Sequence, residues 1–215
     1  WKPHENQTPG NPWQQHAKAL VAWGMDQLRR DRGTHQWLSQ KRGITAETAC
    51  DVRLGLIPHD MVRQREAWGL PPERNPQGRL KKLYLPAGLL IPLFDSTDQV
   101  LRLKVRRSVS GTNQPRYLPI PNPEKNTSPL CLRSQTSDWV IVESELDAIL
   151  LAQEAGDLAS VAALGSASYR PDCRLFGFLR QATCILLALD YDEAGLQNVF
   201  GFWLRSFPHT GLHHW

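Results

Sequence analysis

No apolar run in this chain approaches the roughly 20 residues that a membrane-spanning helix needs, and no basic cluster precedes an apolar segment near the first residue. A spanning protein and a secretory leader are therefore not expected, and the chain reads as a cytoplasmic protein that makes no membrane contact. Cysteine is equally sparse. Cys50, Cys131, Cys173 and Cys184 stand far apart with no Cys-x-x-Cys pair, which argues against a zinc site and a disulfide framework and fits a reducing compartment. No Ser/His/Asp or Cys/His arrangement stands out, and His213 and His214 read as an exposed tail. Methionine is missing from the first position, so the chain, starting at Trp1, is expected to be a piece of something longer or a processed product.

What is present begins with 41% hydrophobic residues in 215, enough for one large or two small packed domains. The net charge of +4 hides a division. Residues 1–137 carry 21 Lys/Arg against 11 Asp/Glu, whereas residues 138–215 carry 4 against 10. A basic half suits polyphosphate and an acidic half can hold cations, which makes nucleic acid the favoured partner.

The acidic half holds two strand-like runs that end in carboxylates. Trp139-Val140-Ile141-Val142 leads into Glu143, with Asp147 four residues on, and Ile185-Leu186-Leu187-Ala188-Leu189 leads into Asp190-Tyr191-Asp192. Short Val/Ile/Leu runs alternating with helical patterns read as buried parallel strands, and in open α/β sheets functional groups gather beyond the strands' carboxyl ends. Glu143, Asp190 and Asp192 are then expected on one rim. Converging carboxylates repel one another and need a cation, and an all-oxygen set suits a hard ion such as Mg²⁺. The alternative is that Asp190 and Asp192 only cap the helix that follows.

Three stretches in order are similar to the motifs of a TOPRIM domain: Val142-Glu143-Ser144-Glu145-Leu146-Asp147-Ala148, Ala163-Leu164-Gly165-Ser166-Ala167-Ser168, and Leu189-Asp190-Tyr191-Asp192-Glu193-Ala194-Gly195. The order and spacing resemble the DnaG-type primase version best, with Ser144 standing where glycine is usual. The resemblance implies that Glu143, Asp190 and Asp192 are catalytic and bind Mg²⁺ or Mn²⁺. It makes Asp147, Gly165 and Ser166 supporting residues.

Before that half, residues 1–10 are polar and turn-rich and read as a linker. Asn11 is an N-cap candidate with Pro12 at the first helical position. Trp13, Ala17, Leu20, Gly24 and Leu28 then recur at helical spacing up to Arg29-Arg30, predicting an amphipathic helix that closes near Gly33. Thr34 is expected to cap a second helix stopping at Lys41-Arg42-Gly43, and a third starts at Ile44-Thr45-Ala46-Glu47 and ends before Leu54. This run, from Trp37-Leu38 to Leu54-Gly55, also resembles the start of the primase core, where Arg42 would meet template phosphate. Residues 60–84 read as a connecting loop with at most one short helix near 62–68.

Gly88–Phe94, the turn at Asp95-Ser96-Thr97-Asp98 and the alternating Val100–Arg106 predict a β-hairpin. Leu101, Leu103 and Val105 face one way and Arg102, Lys104 and Arg106 the other. Cations spaced about 6.8 Å apart on one face roughly match the phosphate repeat of an extended nucleic-acid strand; a solvated sheet face is the alternative. Ile91-Pro92-Leu93-Phe94-Asp95 and Gln114-Pro115-Arg116-Tyr117-Leu118 resemble further primase elements, so Arg116 is expected to contact nucleotide or template.

In the acidic half, helices are expected at 146–155 and 172–182, a strand at 160–163, and a last helix whose inward stripe is Leu196, Val199, Phe200, Trp203 and Phe207. A further strand starts near His213. The fold expectation is α+β: a helical and β-rich subdomain followed by a Rossmann-like, parallel-sheet TOPRIM subdomain cut short at its C-terminal end. The expected divisions are a linker and helix at 1–33, a basic subdomain at 34–137 and a catalytic subdomain at 138–215. By the resemblance, the chain would be a nucleotidyltransferase that makes short RNA primers from ribonucleoside triphosphates on single-stranded DNA. A replicative helicase would join it through regions outside this chain. A TOPRIM nuclease and a non-catalytic nucleic-acid-binding fragment remain as alternatives.

Overall fold

Alanine, leucine and tryptophan at helical spacing produce α1 (Asn11–Arg30), which buries Trp13, Gln14, Ala17, Leu20, Val21, Gly24 and Leu28 along one stripe. The computed structural model describes residues 1–107, 115–166, 168–189, 201–208 and 210–214. Gly10, not Asn11, occupies the cap position, so Asn11 and Pro12 are the first two helical residues. Proline is tolerated there because first-turn N–H groups lack intrahelical partners anyway. α2 (Arg32–Arg42) follows almost without a break. Its cap is Asp31 rather than Thr34: the Asp31 carboxylate accepts from the Thr34 N–H at 2.6 Å, while the Asp31 N–H closes α1 on Leu28 O. One residue thus ends one helix and begins the next. Gly43 beyond α2 has a φ of +68°, the left-handed conformation that favours glycine, and Thr45 caps α3 (Ala46–Asp51).

Strands then dominate. β1 (Gly55–Ile57), β2 (Met61–Arg63), a 3-10 turn (Glu66–Trp68), β3 (Leu83–Leu85), β4 (Gly88–Phe94), β5 (Val100–Arg106) and β6 (Tyr117–Ile120) follow in order. β1-β4-β5-β6 form an antiparallel sheet, and β2 pairs with β3 in a separate ribbon. The loop expected at 60–84 therefore contains strand pairing, and its helical portion shrinks to the 3-10 turn. Three-residue strands 20 residues apart leave no periodicity to read; the burial of Met61, Leu83 and Leu85 selects them. Pro92 is accommodated because β1 pairs only with Gly88–Leu90 of β4.

Leu90, Leu103, Val105 and Ile120 pack with Trp13, Ala17, Leu20 and Val21 of α1. Gly24 and Gly55 allow this approach: a Cβ on Gly55 would lie 2.9 Å from the Gly24 carbonyl carbon. Buried Gln14 fixes the register, its Oε1 accepting from Val100 N at 3.0 Å and its Nε2 donating to Val100 O at 2.7 Å. A buried amide with its partners removed would cost more than the bonds themselves contribute.

The second sheet comprises β7 (Leu130–Leu132), β8 (Trp139–Val142), β9 (Ser160–Ala163), β10 (Cys184–Ala188) and β11 (Gly211–His214), in the order β11-β10-β8-β9-β7. All pairings are parallel except that of β7 with β9. α4 (Glu145–Ala155) and α5 (Cys173–Leu179) connect successive parallel strands, and residues 201–206 are helical before β11. α5 is shorter than the expected 172–182, starting after Asp172, whose carboxylate accepts from Leu175 N at 2.9 Å. Trp203 and Phe207 are buried as expected; Leu196, Val199 and Phe200 lie outside the described residues. Two units result, one of Asn6–Lys41 and Thr45–Thr127, the other of Trp1–Glu5, Arg42–Ile44 and Ser128–Trp215. The first residues are held in place: Cys173 N donates to His4 O at 2.9 Å, and Asn126 Nδ2 to Gln7 O at 2.8 Å.

Replacing Asp31 by alanine is expected to cost about 1 kcal/mol in thermal melts, and Thr34→Ala about half of that or less. Thr34, first through its N–H and then its hydroxyl, holds the Asp31 carboxyl below the ordinary aspartate value. The Asp31 contribution is thus fully present above about pH 4 and lost as pH falls through the lowered value.

Candidate acidic strand-end site and basic sheet face

The chain leaves β8 for β9 on one side, then places β10 on the other side of β8. Such a reversal between neighbouring parallel strands opens a crevice at their carboxyl ends. Val142 pairs with Ala188, so Glu143 follows β8 at the level where Leu189 follows β10. The chain runs from buried Leu189 directly into Asp190. Asp190 and Asp192 themselves lie outside the described residues. Among the described residues no three His, Cys, Asp or Glu side chains come together as a metal site.

The rim around Glu143 is built by backbone. Leu164 N donates to Val142 O at 3.0 Å and Gly165 N to Glu143 O at 2.7 Å, so the turn after β9 is stitched to the end of β8. Gly165 makes that turn with a φ of +91°. The Ser166 and Ser168 hydroxyls are 3.0 Å apart within it. Ser144 caps α4, accepting from Asp147 N at 3.2 Å and donating its hydroxyl to Asp147 Oδ2 at 2.7 Å. Asp147 also lies 3.9 Å from Arg42, a partly exposed pair that contributes little to stability. Asp147 therefore organises the start of α4, and Arg42 stands beside it. Glu145, which the motif reading left without a role, is only 2% exposed in the first helical turn. Its signal was the apolar company of Leu146, Ala148 and Ile149, all buried. Carboxylates at this helix start are favoured by its dipole. Glu143 with Asp190 and Asp192 would make an oxygen-only, anionic donor set of the kind that suits Mg²⁺ or Mn²⁺. At the opposite end of β10, burial first and Asp138 second push the Cys184 thiol up, away from reactive thiolate behaviour.

In the other unit, β5 alternates as expected, but the cations differ in exposure. Arg102, opposite Leu93, is only 8% exposed. Lys104 and Arg106 are half-buried, Lys104 5.7 Å over the Tyr117 ring and Arg106 4.5 Å over that of Trp37. Both are cation–π distances. Their face also carries Leu89, Ile91 and Leu93, the cross-strand partners. Arg106 and Trp37 line a cleft of about 490 Å³ with Asp31, Thr34, Pro58 and Gly88. Arg116, at the entry to β6, is exposed.

Solved structures share this architecture. A DNA primase domain from Pseudomonas aeruginosa matches with a TM-score of 0.62 over 88% of this chain at 22% identity. A DnaG primase catalytic domain bound to ssDNA gives 0.67 over 94% at 18% identity. The RNA polymerase domain of Mycobacterium tuberculosis DnaG primase, in complex with double-stranded DNA, gives 0.62 over 86% at 18% identity. This chain has the fold of DnaG-type primase catalytic domains. It spans 64%, 72% and 65% of those three chains, respectively. No family model matches the sequence, and no curated protein does.

Burial separates the roles of two arginines on this fold. Arg102→Ala, which removes a buried side chain, is expected to destabilise by about 1–3 kcal/mol, and Arg116→Ala by about 0.5 kcal/mol at most, read from denaturant midpoints.

Proposed function

We propose that this chain is the catalytic core of a DnaG-type primase, synthesising short RNA primers from ribonucleoside triphosphates on single-stranded DNA. In this reading residues 138–215 are its TOPRIM subdomain and residues 34–137 its basic subdomain. The observation that carries it is the pairing of β8 with β10, which sets Glu143 level with the residue preceding Asp190, on a fold shared with primase catalytic domains. DNA is bound in two of the three structures named above, and the surplus of cations in residues 1–137 suits the same ligand.

Glu143, Asp190 and Asp192 would hold Mg²⁺ or Mn²⁺. When bound, the cation polarises the α-phosphate and neutralises charge developing on the departing pyrophosphate. Glu143 either contributes to that ligand set or takes the proton of the primer 3′-hydroxyl as general base. Ser144 and Asp147 keep the strand-to-helix turn in place behind it, and Gly165 and Ser166 form the adjoining turn. Arg42, Lys104, Arg106 and Arg116 would meet phosphates of template or nucleotide, and Arg102 would act from its buried position on the same strand.

The test is a paired assay of primer synthesis and of cleavage of labelled single-stranded DNA with Mg²⁺, on the unaltered chain and on Asp190→Ala. Primer synthesis should fall about 100-fold or more in the variant. Template affinity should change little, and the fold should persist because removing one acid relieves carboxylate repulsion. Metal-dependent cleavage with no primer product, lost in the variant, would replace this reading with a nuclease.

A further inference from the structure

Glu73–Lys82, the segment leading to β3, carries four cations against one carboxylate. It is an ordered finger. Asn75 N donates to Arg79 O at 2.9 Å, Gly78 N to Asn75 O at 2.9 Å and Lys81 N to Glu73 O at 2.7 Å. The Asn75 carboxamide oxygen accepts from Gln77 N and Arg79 N at 3.1 and 2.9 Å. Arg74 bridges antiparallel to Leu80, and its guanidinium donates to Gly78 O at 2.6 Å. Gly78, with a φ of +76°, makes the turn. Ordering ten residues, nine of them exposed, is opposed by conformational entropy, which a simple connection would not need to overcome.

The charges on this finger are not balanced within it. Glu73 is paired with Lys81 and lies 3.4 Å from Arg65. Arg74, Arg79 and Lys82 have no carboxylate within ion-pair distance among the described residues, and all three are exposed. Leu80 is 53% exposed; Arg74 is its cross-strand partner, and Arg79 and Lys82 lie one and two residues from it along the chain, so the cations flank it. An apolar side chain between cations on an exposed, hydrogen-bonded turn matches a sugar–phosphate backbone: cations meet phosphates and the leucine lies against a sugar or base edge.

We propose that this finger is a second nucleic-acid contact, gripping the phosphodiester backbone through Arg74, Arg79 and Lys82 with Leu80 packed between. It rests on the nucleic-acid reading above and adds a surface outside the acidic site. The finger recognises backbone and not sequence, so its contribution to binding is salt-dependent and uniform across sequences.

The test measures anisotropy of a labelled single-stranded oligodeoxynucleotide, and of the same sequence as a duplex, between about 50 and 200 mM salt. Arg79→Glu with Lys82→Glu leaves every finger hydrogen bond described above in place, so the thermal melt should not move. With at least one probe, affinity should fall about 10-fold or more and the log–log salt slope become shallower by about 1.5. Asn75→Ala, which loosens the turn without changing charge, should weaken the same probe. Wild-type binding with affinity and slope unchanged in the double variant would overturn the finger and leave the primase reading standing. Failure of the unaltered chain to bind either probe at the lower salt would overturn both.

Discussion

The parallel pairing of β8 with β10 is the constraint on which the acidic half depends. Four register pairs, from Ile185 with Trp139 to Ala188 with Val142, fix how far each strand runs before its chain turns away. A slip of one residue would turn the slipped strand's buried residues, Ile185 and Leu187 of β10 or Ile141 of β8, to the wrong face and shift Glu143 relative to the chain leading into Asp190. The core holds this pairing: Trp139, Ile141, Ile185 and Leu187 pack with Leu175, Leu179, Trp203 and Phe207. The end of β8 is held a second time by the donations from Leu164 and Gly165.

In the basic half the corresponding constraint is the approach of α1 to β1 at Gly24 and Gly55, with Gln14 locked to Val100. It places Leu90, Leu103 and Val105 beneath the helix and so turns Arg102, Lys104 and Arg106 to the other face. That face is only partly solvated. Arg106 and Lys104 lie over aromatic rings, which limits their rotamers and presents guanidinium and ammonium groups in defined places. The finger at Glu73–Lys82 differs, because hydrogen bonds within its own short turn, and not packing, give it shape.

Long elements were legible from sequence because their periodicity is local. The helices α1 and α4, the hairpin of β4 and β5, and the strands β8, β9 and β10 all fall where apolar spacing puts them, within a residue or two. The strands β1, β2, β3, β6 and β7 went unread. Each is three or four residues long, and each exists only because a distant partner offers backbone hydrogen bonds and a face to cover. Cap positions also moved: Asp31 outcompeted Thr34 because its carboxylate reaches the third N–H of α2, a choice that depends on where α1 ends.

The sequence by itself determined the ends of the strands, because the residue types that build a buried parallel strand stop where Glu143 and Asp190 begin. It also determined the division of charge between the two halves and the alternation of cations along β5. Only the tertiary structure decided that β10 lies beside β8 and β9 on its far side, that Glu145 and Arg102 are withdrawn from water, and that Arg79, Leu80 and Lys82 are exposed beside a hydrogen-bonded turn. Strand order and burial depend on contacts between residues far apart in the chain, which local side-chain pattern does not encode.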